Sequence, residues 1–234
     1  MTSPTPRRYA GLSGDQRAAL RRETLLEAAL EVFAATGKSG ATMTAICAHA
    51  KLTERYFYES FTSRDEVLQK VLDGIADEVR EAGLDALRAS GGTLEQRVRN
   101  AIASFVTILT DDPRKGRVAM IESAAFEPLR THRRAALRGF AQMVADEATR
   151  MDGDRAWPPH QGEINGLLFV GGLAELVTAW LNDEIAITPD EIVEAILREV
   201  VERVAEANER PAQAVPPAPL RDIVLQLMSG KYRV

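Results

Sequence analysis

The sequence predicts an all-α protein, and three observations carry that prediction. Apolar residues return every three or four positions along most of the 234 residues, the spacing that builds one face of a helix. Helix-opening signatures recur at Ser13, Ser63, Thr93 and Thr188, each a capping side chain with a Glu or Gln three residues on. No segment alternates apolar and polar residues as a half-buried strand would, and no internal repeat is present.

The elements follow in order. Pro4, Pro6, Arg7 and Arg8 mark a flexible arm. Ser13 and Gln16 open a helix whose stripe is Leu20, Leu26, Ala29, Leu30 and Phe33, ended by Gly37 and Gly40. Two short helices around a tight turn follow over Thr42 to Arg64. Ser63 and Glu66 form a second capping box before a long helix through Val67, Leu68, Val71, Leu72, Ile75 and Val79, with a kink expected at Gly83 and a turn at Ser90-Gly91-Gly92. Thr93 restarts a helix with Val98, Ile102, Phe105, Val106 and Leu109. Asp111-Asp112-Pro113 opens another bearing Val118, Met120 and Ile121. Pro128 begins a long helix with Leu137, Phe140, Met143 and Val144, and a breaker-rich loop runs from Asp152 to Pro159. Ile164 to Leu181 is almost wholly apolar. Thr188-Pro189-Asp190-Glu191 starts the last long helix, with Ile192, Val193, Ile196, Leu197, Val200 and Val204. Pro211 to Pro219 reads as a linker, and Leu220, Ile223, Val224, Leu227 and Met228 as a short amphipathic helix that docks on the body or on a partner subunit, or stays disordered. The total is about nine or ten helices.

The expected organisation is a flexible arm over 1–14, a helix-turn-helix unit over 15–62, a larger helical body over 63–209, and the linker and short helix over 210–234. The N-terminus lacks the apolar stretch of a secretory signal. The longest apolar runs, such as Gly166 to Leu173, read as too short to span a bilayer. Cys47 is the single cysteine, so no disulfide framework is possible. A cytoplasmic protein without a membrane partner is expected. His49, His132 and His160 show no metal-ligand spacing, and there is no nucleophile elbow or phosphate-cradling loop. No catalytic residue, metal or cofactor is expected.

Net charge is −5, but it is unevenly placed. Residues 1–64 hold 9 Lys and Arg against 6 Asp and Glu, an excess of +3; residues 65–234 hold 20 against 28, a balance of −8. A basic head on an acidic body suits a protein that touches phosphate at one end. In that head, Ile46, Ala50 and Leu52 form a small apolar nucleus while Thr42, Thr44, Arg55, Tyr56, Tyr58 and Arg64 point outward. This is the layout with which a helix-turn-helix offers one helix to a DNA major groove.

Thr42, Ile46, Ala50, Thr53, Phe57-Tyr58, Phe61 and Ser63-Arg64, with Ala28 to Phe33 and Gly37 before them, resemble the DNA-binding domain of the tetracycline-repressor (TetR) family over roughly residues 20–72. The resemblance implies a homodimeric regulator of transcription, a repressor in its usual form, released from a palindromic double-stranded operator by a small-molecule effector. It implies phosphate contacts from Thr42, Tyr58 and Arg64, places Thr44, Arg55 and Tyr56 where side chains reach base edges, with Arg55 suited to a guanine, and adds Thr53 to the DNA-binding set. Arg7 and Arg8 would follow the minor groove. Ile164 to Leu181 and Ile192 to Val204 resemble the family's dimerising helices, which puts Leu168, Gly171, Gly172, Leu176, Val193, Leu197, Val200 and Val204 at a dimer interface; an ordinary buried helix pair is the competing reading. Three residues depart from the pattern: Lys51 in place of a turn glycine, Glu54 at the start of the reading helix, and Cys47 in place of alanine.

Phe105, Met120, Phe126, Phe140, Met143, Phe169 and Trp180 are candidates to line a cavity for a bulky apolar effector, though each residue type also fills ordinary cores. The cluster Arg130, His132, Arg133 and Arg134 is either an anion-attracting group or a solvated face near a helix start. Two functions of other classes compete with regulation: an all-helical interaction protein with a degenerate DNA reader, and a helical enzyme using the C-terminal cavity.

Overall fold

The computed structural model describes residues 13–152 and 158–209, with backbone alone at 151–152, 159 and 204–209. Among the described residues every regular element is a helix: α1 (Gly14–Gly40), α2 (Met43–Ala50), α3 (Glu54–Ser60), α4 (Arg64–Arg88), α5 (Leu94–Asp111), α6 (Pro113–Gly116), a π-helical turn (Arg117–Glu122), α7 (Ser123–Ala125), α8 (Glu127–Asp152), α9 (Pro159–Leu181) and α10 (Pro189–Glu209). Arg7, Arg8, most of the expected arm, the loop centre at 153–157 and the expected C-terminal helix lie outside the described residues, as does the side chain of Val204.

The caps explain where helices begin. Ser13 and Thr93 form complete capping boxes with Gln16 and Gln96. Thr188 accepts from the Glu191 N–H at 3.2 Å, while the Glu191 carboxylate accepts from the Thr188 N–H at 2.7 Å. At Ser63 only half the expected box forms. The serine accepts from the Glu66 N–H, but the Glu66 carboxylate reaches one residue further back, to the N–H and hydroxyl of Thr62. The first turn of α4 is thereby tied to the end of the helix-turn-helix.

Three other expectations change. Gly83 does not kink α4, which continues helical to Arg88; glycine weakens a helix without breaking its hydrogen-bond ladder. The segment after Pro113 is not one regular helix. It is a short α6, then a π turn, then α7, and this irregular stretch buries Val118, Ala119 and Met120. Finally, His160–Leu181 as a whole helix is long and apolar enough to cross a membrane, with mean hydropathy 1.6, although the run inside it looked too short. Its inner side packs on α8 and α10.

That packing is close. A Cβ on Gly166 would stand 2.3 Å from the Ala141 carbonyl oxygen, so only glycine permits this crossing of α8 and α9. Gly171 and Gly172 do not serve such an approach within the chain: nothing lies within 4 Å of a Cβ at Gly171, and only the tip of Ile196 does at Gly172.

α4 is the spine. Its 25 residues extend about 37 Å from the small helices to the body, packing first on α1 and then on α5 and α8. One continuous core follows it, from Leu25, Phe33, Ile46, Phe57 and Phe61 through Val67 and Leu68 to Phe105, Leu109, Val118, Val177 and Ile192.

Candidate functional site: a nucleic-acid interface and an apolar cavity

The reading unit is built on four buried side chains. Phe33, Ile46, Phe57 and Phe61 are sealed between α1, α2 and α3, which fixes the outward residues of α3 relative to α2. The turn between them passes through Lys51 at φ 55°, ψ 38°, a left-handed position that costs a side-chain-bearing residue about 1 kcal/mol. The expected strain at this departure from glycine is present. Glu54 lies in the first turn of α3, where a carboxylate complements the helix dipole. Cys47 is buried, and burial, with the Glu54 charge second, pushes its thiol above the ordinary range, which disfavours the thiolate form.

Thr42 caps α2 by accepting from the Ala45 N–H at 3.1 Å, which leaves its hydroxyl hydrogen free to donate. Thr44 and Thr53 are exposed, and Thr53 makes no side-chain cap bond. Tyr58 is 61% exposed and stands edge-on to Phe57. Arg55 projects with its side chain 84% exposed, steadied by Glu59 at 3.0 Å. Tyr56 is only half-buried, because the Arg21 guanidinium lies 4.5 Å from its ring centre. Arg21 and Glu59, which sequence reasoning did not single out, therefore hold Tyr56 and Arg55 in place. The i,i+4 spacing of Arg55 and Glu59 was the available signal. Arg64 is bound by Asp65 and by the Lys38 carbonyl, and sits 5.2 Å from the Phe126 ring centre. A phosphate would have to draw it from these partners.

The body contains a cavity of about 190 Å³ between α4, α5, α8, α9 and α10. Phe105, Phe140, Met143 and Phe169 line it, as expected. Met120 instead lines a smaller compartment of about 30 Å³, which shares Val79, Phe105 and Phe140 with the first. Phe126 and Trp180 line neither. Phe126 is buried under Lys38 and Arg64 at the junction with α1, and Trp180 packs partly buried against the core. The α4 contribution of Val79, Gly83 and Leu87 was missed; a Cβ at Gly83 would meet nothing within 4 Å because it faces the void. Glu147 is the one charged residue lining the main cavity among those described; it is 7% exposed and held by Arg150 at 2.7 Å and Arg88 at 3.9 Å.

Ion pairs join this body to α1. Arg114 reaches Glu27 and Glu31 of α1 and Asp112 at its own helix start; these hydrogen bonds hold its guanidinium in the charged form and push its pKa up. Lys115 pairs with Glu78 of α4. The π turn thus lies between the cavity wall and α1.

On the outside of α9, Ile164, Leu167 and Leu168 are 41–51% exposed beside exposed Gly171, with Val201 of α10 also exposed. Gly172, Leu176 and Val200 are half-buried, and Val200 lines the cavity. Val193 and Leu197 are corrections: at 5% and 4% exposure they fill this chain's own interior and offer nothing to a second copy.

Comparison with known proteins bears on this geometry. Residues 25–71 match the family described as bacterial regulatory proteins, tetR family. The chain is 28% identical over 183 residues to the HTH-type transcriptional activator FasR of Mycolicibacterium smegmatis, covering 76% of this chain and 80% of that protein. Its fold is similar to that of a TetR-family transcriptional regulator from Syntrophomonas wolfei (TM-score 0.70, 13% identity, 85% and 99% of the two chains). It is also similar to the transcriptional regulator FadR of Bacillus subtilis, solved with stearoyl-CoA (TM-score 0.63, 16% identity, 76% and 97%).

Proposed function

We propose that the chain, whose residues 25–71 match the tetR family of bacterial regulatory proteins, is a homodimeric, cytoplasmic DNA-binding regulator of transcription whose grip on a palindromic operator is set by a long-chain acyl ligand. The helices of residues 15–62 form the DNA-binding unit and residues 63–209 the effector and dimerisation unit. α3 enters the major groove with Arg55 and Tyr56 toward base edges, while Thr42, Tyr58 and Arg64 hold phosphates. A repressor results wherever the operator overlaps a promoter. The named FasR relative is an activator, so the sign of regulation follows from operator position.

The cavity carries the effector reading. Its described lining residues are apolar except for Glu147, the lining that an extended hydrocarbon requires, and the FadR neighbour was solved with stearoyl-CoA. The apolar stripe Ile164, Leu167, Leu168 and Gly171 supports α9 as the face between two copies, since an exposed patch of this kind marks an interaction surface. Two copies would place paired reading helices on successive groove faces, about 34–36 Å apart.

Selection of binding sites from a random duplex pool tests the DNA reading. Recovered sites should be inverted repeats, and binding should weaken steeply with salt. Sites without two-fold symmetry, or a monomer in sedimentation at micromolar concentration, would refute the dimeric reader. The effector reading is tested by titrating C10 to C18 acyl compounds against the protein–DNA complex; no chain length that releases DNA would refute it.

A further inference from the structure

The cluster Arg130, His132, Arg133 and Arg134 does not stay together in the fold. Arg130 pairs with Glu127, His132 pairs with Asp73 of α4, and Arg134 is exposed. Arg133 alone turns to the interior, where it lines the small compartment with Leu72, Met120 and Leu137. Its Nε is buried without a hydrogen-bond partner. Burial pushes its pKa down, opposed by the charge of Glu175 on α9; an arginine remains a cation even so. A buried guanidinium nitrogen with no acceptor is costly, and every other wall of the compartment is apolar.

The charges of the two neighbouring spaces are arranged by end. Among the described lining residues, Glu147 is the only charge in the main cavity and Arg133 the only charge in the small compartment. Val79, Phe105 and Phe140 line both spaces, so movement of these side chains would join them. An amphipathic anion is repelled at the Glu147 end and attracted at the Arg133 end. The guanidiniums beside Glu147, those of Arg88 and Arg150, are already paired with its carboxylate. The small compartment, at about 30 Å³, has room for roughly two water molecules, which is also the scale of one carboxylate group.

We propose that the compartment at Arg133 is an anion subsite that takes the carboxylate terminus of a chain-like ligand whose apolar part lies in the main cavity. The inference rests on the acyl-ligand reading above and deepens it: the ligand is a free carboxylic acid bound head inward. Arg133 meets the carboxylate with the bidentate geometry natural to its fork. Ala119 and Met120 of the π turn line the same compartment, so the bound head lies near the segment whose neighbours Arg114 and Lys115 clasp α1 and α4.

The test compares palmitate, methyl palmitate and palmitoyl-CoA on the full chain and on Arg133→Met and Arg133→Lys, each checked for an unchanged melting profile. Wild type should bind palmitate about 10-fold or more tighter than the ester, the scale of a hydrogen bond to a charged group. Arg133→Met should lose about that factor for palmitate and nothing for the ester, with Arg133→Lys in between. Equal binding of acid and ester, or an Arg133→Met variant that keeps wild-type palmitate affinity, overturns the subsite. Tightest binding of palmitoyl-CoA that ignores Arg133→Met overturns it too, while leaving the acyl reading intact. Failure of all three compounds to bind removes the acyl reading and the subsite with it.

Discussion

The N-terminal helices α1 to α3 and the larger helical body work in opposite ways. The first display chemistry outward: a sealed nucleus of Phe33, Ile46, Phe57 and Phe61 holds Arg55 and Tyr58 in solvent at fixed spacing. The body encloses an absence, a void between α4, α5, α8, α9 and α10 with one carboxylate, that of Glu147, among its described lining residues. A displayed site depends on which residues protrude, and a void depends on which residues are missing bulk. Gly83, whose Cβ would meet nothing, matters to the second in the way Arg55 matters to the first.

Substitutions can separate these two modes. The largest effect is expected at the shared foundation. Phe57→Ala should cost about 3–5 kcal/mol of stability, and because the core runs unbroken along α4, thermal melting should remain one transition. Two transitions would show that the small helices fold apart from the body. Next, Arg55→Ala should weaken cognate DNA binding by about 1–3 kcal/mol, measured by anisotropy, and leave acyl-chain binding untouched. An unchanged DNA affinity would remove Arg55 from base reading.

Gly166→Ala should destabilise by about 1–3 kcal/mol, since the new Cβ must push back the Ala141 carbonyl; chemical denaturation measures this directly. Gly83→Ala, one surface of the void, should do the reverse and stabilise the ligand-free chain by about 0.5–1 kcal/mol while weakening the longest acyl chains. The smallest expected effect is electrostatic. The Asp112 carboxyl is held below the usual carboxylate range by its hydrogen bonds with Arg114. Its contribution is complete above the unfolded value of about 4 and fades as pH falls through the lower native value. Asp112→Asn should therefore lower stability at neutral pH, with the difference from wild type shrinking as pH falls and the native carboxyl takes up its proton.

The same contrast governs what could be read without coordinates. The turn at Lys51 and the caps at Ser13, Thr42, Thr93 and Thr188 are local, so a few adjacent residues specify them. The long-range placement of an apolar side chain is not local. Phe105, Phe140, Met143 and Phe169 converge on the cavity, whereas Phe126, of the same type, was placed with them by composition and in fact lies beneath Arg64. Val193 and Leu197 lie on an apolar helix stripe that gives no sign of whether it meets its own chain or another; burial places them inside. The kink expected at Gly83 failed because a single glycine signals weakness in a helix, while its reason here is space in a neighbouring void. Arg133 was grouped with its neighbours by sequence proximity, and only the helix rotation separates it from them.

Thermodynamic linkage between the two ends is the most direct measurement. Operator affinity should be determined with and without saturating palmitate, and palmitate affinity with and without operator, on the same full chain. If the cavity and the reading helices bias one conformational equilibrium, the two factors must be equal, and a coupling of about 1–3 kcal/mol, or roughly 5- to 150-fold, is expected. Palmitate that binds tightly yet leaves operator affinity unchanged would contradict the proposal that the body's ligand controls the DNA reader.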